Sequence, residues 1–225
     1  MTGYLGFMKR TDCREHLLNA GVAGLHAKGF NGCGVQEITE AAGVPKGSFY
    51  NYFDSKEEFS VAVLEHYWEL GAQKNLAILS DESIPPVERL RTYFKQRAAY
   101  HDQGHYERGC MIGNLATEVT GQSRLVRDRL AGLFAGWVRV VANCVREAQE
   151  HGDIALDLDP VTIGAFLVNA WQGAVMRAKV DRDSSSLDQF FEVVFSRLLV
   201  KQEQQSVHHK ESIKAAKALA EAATL

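Results

Sequence analysis

GFNGCGVQEITEAAGVPKGSFYNYFDSKEEF, residues 29–59, decides how the chain is read. Gly34 suits the cap of a short helix over Val35–Ala42, with Val35, Ile38 and Ala42 on one face. Gly43 stops that helix, because glycine accepts the left-handed conformation that the residue after a helix adopts. Pro45 fits the first turn of a second helix, about Lys46–Tyr52, where its missing N–H costs nothing. Asp54-Ser55 ends it, and Ser55 with Glu58 forms a capping box for a longer helix. Two short helices joined by a glycine-containing turn make a helix-turn-helix. The second helix anchors through Phe49 and Phe53, while Lys46, Gly47, Ser48, Tyr50, Asn51 and Tyr52 occupy its other faces. Hydroxyls, an amide and a cation suit phosphate and base-edge contacts, and a helix start favours a phosphate. The plainer alternative is a small amphipathic helix in an ordinary bundle.

Outward from this stretch the pattern is helical throughout, with no internal repeat and no alternating strand pattern. A first helix, capped by Thr11 or Asp12, runs to about Lys28 with Leu17, Leu18, Gly21, Val22 and Leu25 on its apolar face. The helix opened by Ser55 continues to about Leu79 and spans the reader and the next domain. Asp81–Pro86 is a linker. Further helices are expected from Pro86 to Asp102, over Met111–Thr117 with an interruption at Gly113, over Ser123–Glu150, Pro160–Asp181 and Leu187–Lys201. Ser212–Ala223 forms a tail helix or frays. The fold class is all-α, with a small three-helix N-terminal domain over 10–55, a larger helical domain over 56–201, and a tail over 202–225.

Composition narrows the function. At 46% hydrophobic residues the chain is ordinary globular material. No apolar run reaches membrane-spanning length and the N-terminus lacks a secretory apolar core, which places the chain in the cytoplasm, with Met8 as an alternative start. The net charge of −3 argues against a general polyanion binder, so DNA affinity has to come from locally arranged groups. Four cysteines, Cys13, Cys33, Cys110 and Cys144, lack the spacing of a disulfide framework or a zinc site. No GxSxG, HExxH, P-loop or nucleotide fingerprint is present, so neither an enzyme nor a cofactor is expected.

The helices over 160–181 and 187–201 are apolar on more than one side. Their second partner is the same pair in another subunit, or else the interior of a monomer. A pocket is expected among the helices after Pro86, lined by Tyr93, Phe94, Met111, Asn114, Trp137, Trp171 and Gln172; the same stripe also reads as core. Cys110 follows Gly109 at a helix start, with Arg108 two residues before, features that favour a reactive thiolate; a small buried hydrophobe is the alternative. Cys144 reads as inert packing.

The residues Ala41-Ala42-Gly43-Val44, Lys46–Phe53 and Ser55-Lys56-Glu57 resemble the DNA-binding region of the TetR family of bacterial regulators. The resemblance implies an all-helical homodimer that represses transcription at a palindromic double-stranded operator and is released by a small-molecule inducer. On it, Lys46, Gly47, Ser48, Tyr50, Asn51, Tyr52 and Lys56 contact DNA, assisted by Gln36 and Thr39. The chain departs from the usual pattern at Val35 and Asn51. The segments Arg108–Leu115, Arg146–Gln149, Asp157–Pro160, Trp171–Ala174 and Arg177–Lys179 resemble a subgroup that responds to acrylate or, more distantly, to N-ethylmaleimide. That likeness implies a sensor cysteine at Cys110, supported by Lys179. A purely non-covalent inducer, with Cys110 as pocket wall, remains the alternative.

Overall fold

The computed structural model describes residues 10–155 and 158–200. Among the described residues nine α-helices build the fold: α1 (Arg10–Gly32), α2 (Val35–Ala41), α3 (Lys46–Phe49), α4 (Lys56–Asn75), α5 (Pro86–Gln103), α6 (Met111–Val119), α7 (Arg124–Glu150), α8 (Pro160–Asp181) and α9 (Ser185–Val193). The expected tail beyond Gln202, the start at Met8, the cap side chains of Thr11 and Asp12, and Asp157 lie outside what is described.

The N-terminal helix-turn-helix domain forms as its local chemistry dictates. Gly43 takes φ 68°, and the Val44 N–H returns to the Thr39 carbonyl at 3.0 Å to close α2. Pro45 is the residue before α3 rather than its first. The capping box is offset by one residue. Ser55 Oγ accepts from the Glu58 N–H at 3.1 Å, but the Glu58 carboxylate accepts from the N–H of Asp54. Phe49, Phe53 and Phe59 interlock beneath the reader, Phe53 and Phe59 edge-on and the other two pairs tilted, with centroids 5.0–5.5 Å apart. At Gly21, α1 and α4 cross so closely that a Cβ would stand 2.5 Å from Phe59 and Val63.

The larger helical domain packs α7 against α8, α5 and α4, with α9 on α8. The cap expectations hold: Ser123 accepts from the Val126 N–H and Asp159 from the Thr162 N–H. Arg89, buried, ties the linker to α7. It donates to the Ile84 and Leu79 carbonyls and pairs with Glu147 at 2.7 Å.

Four expected boundaries differ. α4 ends at Asn75, and Ala77–Ser80 is a separate tight turn. α3 is one turn long, and Asn51 and Tyr52 lie in the bend after it. α6 runs unbroken through Gly113, whose missing Cβ makes room for the Gln172 side chain. α9 ends at Val193 and passes into a wider turn over 194–198. On α8, Val161, Phe166, Met176 and Val180 stay exposed.

Candidate functional site

The surface expected to face DNA is built by α2, α3 and the bend before α4. Gln36, Lys46, Gly47, Tyr50 and Asn51 are exposed, with Ser48, Tyr52 and Lys56 half-buried beside them. Tyr50 is 56% exposed although its edge meets the Phe49 ring, so an aromatic hydroxyl is held outward by a buried neighbour. Lys56 sits 4.5 Å above the Phe30 ring, and Gln36 donates to Glu40. Thr39 corrects the sequence reading. It is 1% exposed, and its hydroxyl is spent on the Gln36 carbonyl at 2.9 Å, because packing turns that face of α2 inward.

In the larger domain the expected pocket residues separate into three places. Phe94 and Trp171 belong to an aromatic core with Phe190 and Phe195, and Met111 is buried packing. Asn114, Gln172 and Lys179 gather instead around Cys110. Asn114 donates to the Arg108 carbonyl at 2.7 Å, Gln172 Nε2 donates to Cys110 Sγ at 3.4 Å, and Lys179 lies against Gly109. Cys110 is the residue before α6 and only 2% exposed. Cys144 behaves as expected: its thiol bonds the Pro86 carbonyl, and burial pushes its pKa up to about 12.

Tyr93 and Trp137 line a third place, a cavity of about 390 Å³ between α1, α4, α5, α6 and α7. Its apolar walls are Val22, Trp68, Leu76 and Ile112, with Leu70 and Gly71 at its α4 side. Tyr67, Gln96, Arg97 and Tyr100 supply the polar groups, and α8 contributes nothing. The Arg97 guanidinium stands 4.8 Å from the Trp137 ring centre and 5.8 Å from that of Tyr93. Burial raises the Tyr93 hydroxyl pKa, with Arg97 and the Trp137 indole pulling the other way. Burial likewise raises that of Tyr67.

Sequence reasoning missed Arg97. The available signal was its place on the inward stripe Leu90, Tyr93, Arg97, His101, where a cation interrupts an apolar face. Two contacts that join this domain to the reader were missed as well. Buried His26 of α1 donates through Nε2 to the Gly109 carbonyl at 2.9 Å; burial lowers its pKa, the Gly109 bond opposes this, and Arg108 and Lys179 lower it further. Glu118 of α6 accepts from the N–H groups of Phe30 and Asn31 at 2.9 and 2.8 Å. Gly29 makes this approach feasible: its φ is 74°, ψ −177°, and a Cβ there would meet Glu118 Oε2 at 2.3 Å. So α6 begins beside Cys110, contributes Ile112 to the cavity wall, and ends on the backbone that leads into the helix-turn-helix.

A compact helix-turn-helix joined by direct hydrogen bonds to a larger helical domain defines a DNA-binding regulator. The chain belongs to the TetR family. Residues 17–63 match the family described as bacterial regulatory proteins, tetR family, and residues 86–194 match the tetracyclin repressor-like C-terminal domain. It is 42% identical to the HTH-type transcriptional repressor DhaR of Mycobacterium sp. (strain GP1), over 85% of this chain and 95% of that one. It is 35% identical to the transcriptional regulator AcuR of Cereibacter sphaeroides, over 78% and 80%, and 30% identical to the HTH-type transcriptional repressor NemR of Escherichia coli K12, over 79% and 89%. The crystal structure of a regulatory protein TetR from Rhodobacter sphaeroides superposes with a TM-score of 0.76 at 34% identity, covering 80% of this chain and 96% of that one. The reduced form of E. coli NemR superposes with a TM-score of 0.73 at 29% identity, covering 81% and 95%. The chain is therefore a TetR-type transcriptional repressor and not an enzyme. Among the described residues no helix is long and apolar enough to cross a membrane.

Proposed function

We propose that this repressor holds a palindromic operator as a homodimer and leaves it when a small molecule acts in the region between the cavity and Cys110. The observation that carries the reading is the path of α6. A shift at its start, next to Cys110, reaches the Phe30 and Asn31 amides through Glu118. The exposed apolar residues Phe166, Met176 and Val180 support a subunit interface on α8. Two readers placed one turn of B-DNA apart, roughly 34–36 Å, then meet successive major grooves. Lys46, Gly47, Ser48, Tyr50, Asn51, Tyr52 and Lys56 make mainly phosphate contacts with some base contacts, and Gln36 lies at the edge of that surface. Residues 10–55 act as reader and 56–201 as sensor and dimerisation domain.

For the trigger, the resemblance supports an electrophile or acrylate-like acid at Cys110. The thiol would add across an activated C=C, sulfur bonding the β-carbon and the proton passing to the α-carbon. Gln172 and Lys179 stand where they would position the thiol and the incoming carbonyl. A second reading, non-covalent occupancy, is favoured by a specific observation: Cys110 is nearly fully buried and does not line the cavity. Gel shifts on the DNA upstream of the gene, with acrylate and with a quinone, test both using wild type and Cys110→Ser. Release of wild type alone supports the thiol. Equal release supports the cavity. Failure of wild type to bind any of that DNA refutes the operator assignment.

A further inference from the structure

The cavity between α4, α5 and α7 is not a neutral apolar hole. Arg97 lies in its wall, and none of the ion pairs among the described residues includes it. Its Nε is buried with no hydrogen-bond partner. The indole Nε1 of Trp137 is in the same condition, in a side chain only 1% exposed that lines the same cavity. Two buried N–H donors without acceptors are costly, and a half-buried guanidinium with no carboxylate beside it adds to that cost. Stacking on Trp137 and the neighbouring Tyr93 hydroxyl offset part of this but leave Arg97 Nε and the indole N–H without an acceptor in hydrogen-bonding geometry.

A planar carboxylate supplies what is missing. It accepts two parallel bonds from a guanidinium fork and has a lone pair left for an indole N–H. The rest of the wall is mainly apolar, with Gln96 and the hydroxyls of Tyr67, Tyr93 and Tyr100 as its other polar groups, and a volume near 390 Å³ falls in the range that holds a body well beyond three carbons, roughly 300–1,000 Å³ for drug-sized ligands. We propose that the cavity is a site for an organic monocarboxylate with a flat or extended apolar body, its carboxylate held by Arg97 and Trp137. The assignment rests on the reading that the cavity is the inducer site, and it adds the ligand class and the recognising groups.

Cinnamate and its uncharged isostere cinnamamide, with octanoate as an extended acid, are the probes. Binding to the full-length protein is measured by calorimetry, and each probe is also added to the operator gel shift. The expected result is that at least one acid binds tenfold or more tighter than the amide, a gap of about 1.4 kcal/mol. Arg97→Gln abolishes that preference while leaving weak amide binding unchanged. Trp137→Phe keeps the cavity filled, removes one donor, and weakens the acid several-fold; it stands in if Arg97→Gln does not fold. Acid and amide binding equally, neither acid binding at millimolar concentration, or an acid preference that survives both substitutions would overturn the proposal. An acid held through Arg97 that leaves the operator complex intact would instead sink the inducer reading and leave the anion site standing. Release by the amide alone would do the reverse.

Discussion

Replacing Gly29 with alanine tests the joint between reader and sensor. Two costs arise together. The backbone at φ 74° and ψ −177° is nearly closed to any residue with a Cβ, a strain of roughly 1–3 kcal/mol. The new Cβ would also sit 2.3 Å from Glu118 Oε2, so the carboxylate must swing away and lose its bonds to Phe30 and Asn31. Those bonds have a charged acceptor but lie near the surface, so about 1 kcal/mol each is reasonable. Gly29→Ala should therefore lower stability by about 4 kcal/mol, and Glu118→Ala by about 2 kcal/mol. In the double variant the bonds are lost only once, so the sum should fall short of additivity by about 2 kcal/mol. Urea unfolding of the four proteins at one fixed protein concentration measures this cycle. Additive single effects would mean that Glu118 does not hold the kink at Gly29 within α1, and the relay through α6 would have to be abandoned. The same variants carry a functional readout. An inducer that changes operator affinity by roughly 5–150-fold in wild type should change it little in Glu118→Ala, even where operator binding without inducer survives.

Further outcomes follow from the site. Lys46→Ala combined with Tyr50→Ala should abolish the operator gel shift while the melting temperature moves by no more than a degree or two, since both side chains are exposed; a protein that still binds would refute the contact assignment. His101 is held neutral by burial, with Arg97 and His26 adding to the effect, and its pKa falls from 6.5 to about 4. The unfolded chain thus takes up the proton first. Its contribution is complete above about pH 6.5 and is lost as pH falls toward 4, on the order of 3 kcal/mol in all; His101→Leu should flatten the stability profile in that window. Trp171→Ala empties the centre of the Phe94–Phe190 cluster and should cost about 3–5 kcal/mol by thermal or urea unfolding, unlike a substitution at a mere pocket wall. Gly164→Val should loosen the α7–α8 contact, because even a Cβ would come within 3.0 Å of the Ala142 backbone; an unchanged melting temperature would show that the helices can part there.

The reader was legible because its signals are local. The turn at Gly43, the serine cap at Ser55 and the outward Tyr50 each depend on a few neighbouring residues. Thr39 was misjudged because its side of α2 is decided by what α2 packs against, not by its own sequence. The aromatic residues Phe94 and Trp171 read as wall or as core, core being the commoner outcome for such a stripe, and the arrival of Phe190 and Phe195 from α9 and the turn after it makes them core. The cavity was legible only in two of its lining residues, Tyr93 and Trp137, for a related reason. Empty space arises where α4, α5 and α7 diverge, a property of helix placement that no stretch of sequence encodes. Arg97 within an apolar stripe was the residue-level trace of it. In the proposed mechanism the path runs through α6 and the residues just before it, which meet α1 at positions 83 to 88 residues apart in sequence.

The Glu118 joint has a particular chemical character. It grips the N–H groups of Phe30 and Asn31, not their side chains. In the proposed mechanism the larger domain addresses the helix-turn-helix through atoms that every residue except proline carries. Side chains on α2 and α3 can diverge toward new operators without redrawing the connection, while Gly29 cannot vary. On the proposed mechanism, what is read and how the reading is interrupted then rest on different atoms of the chain.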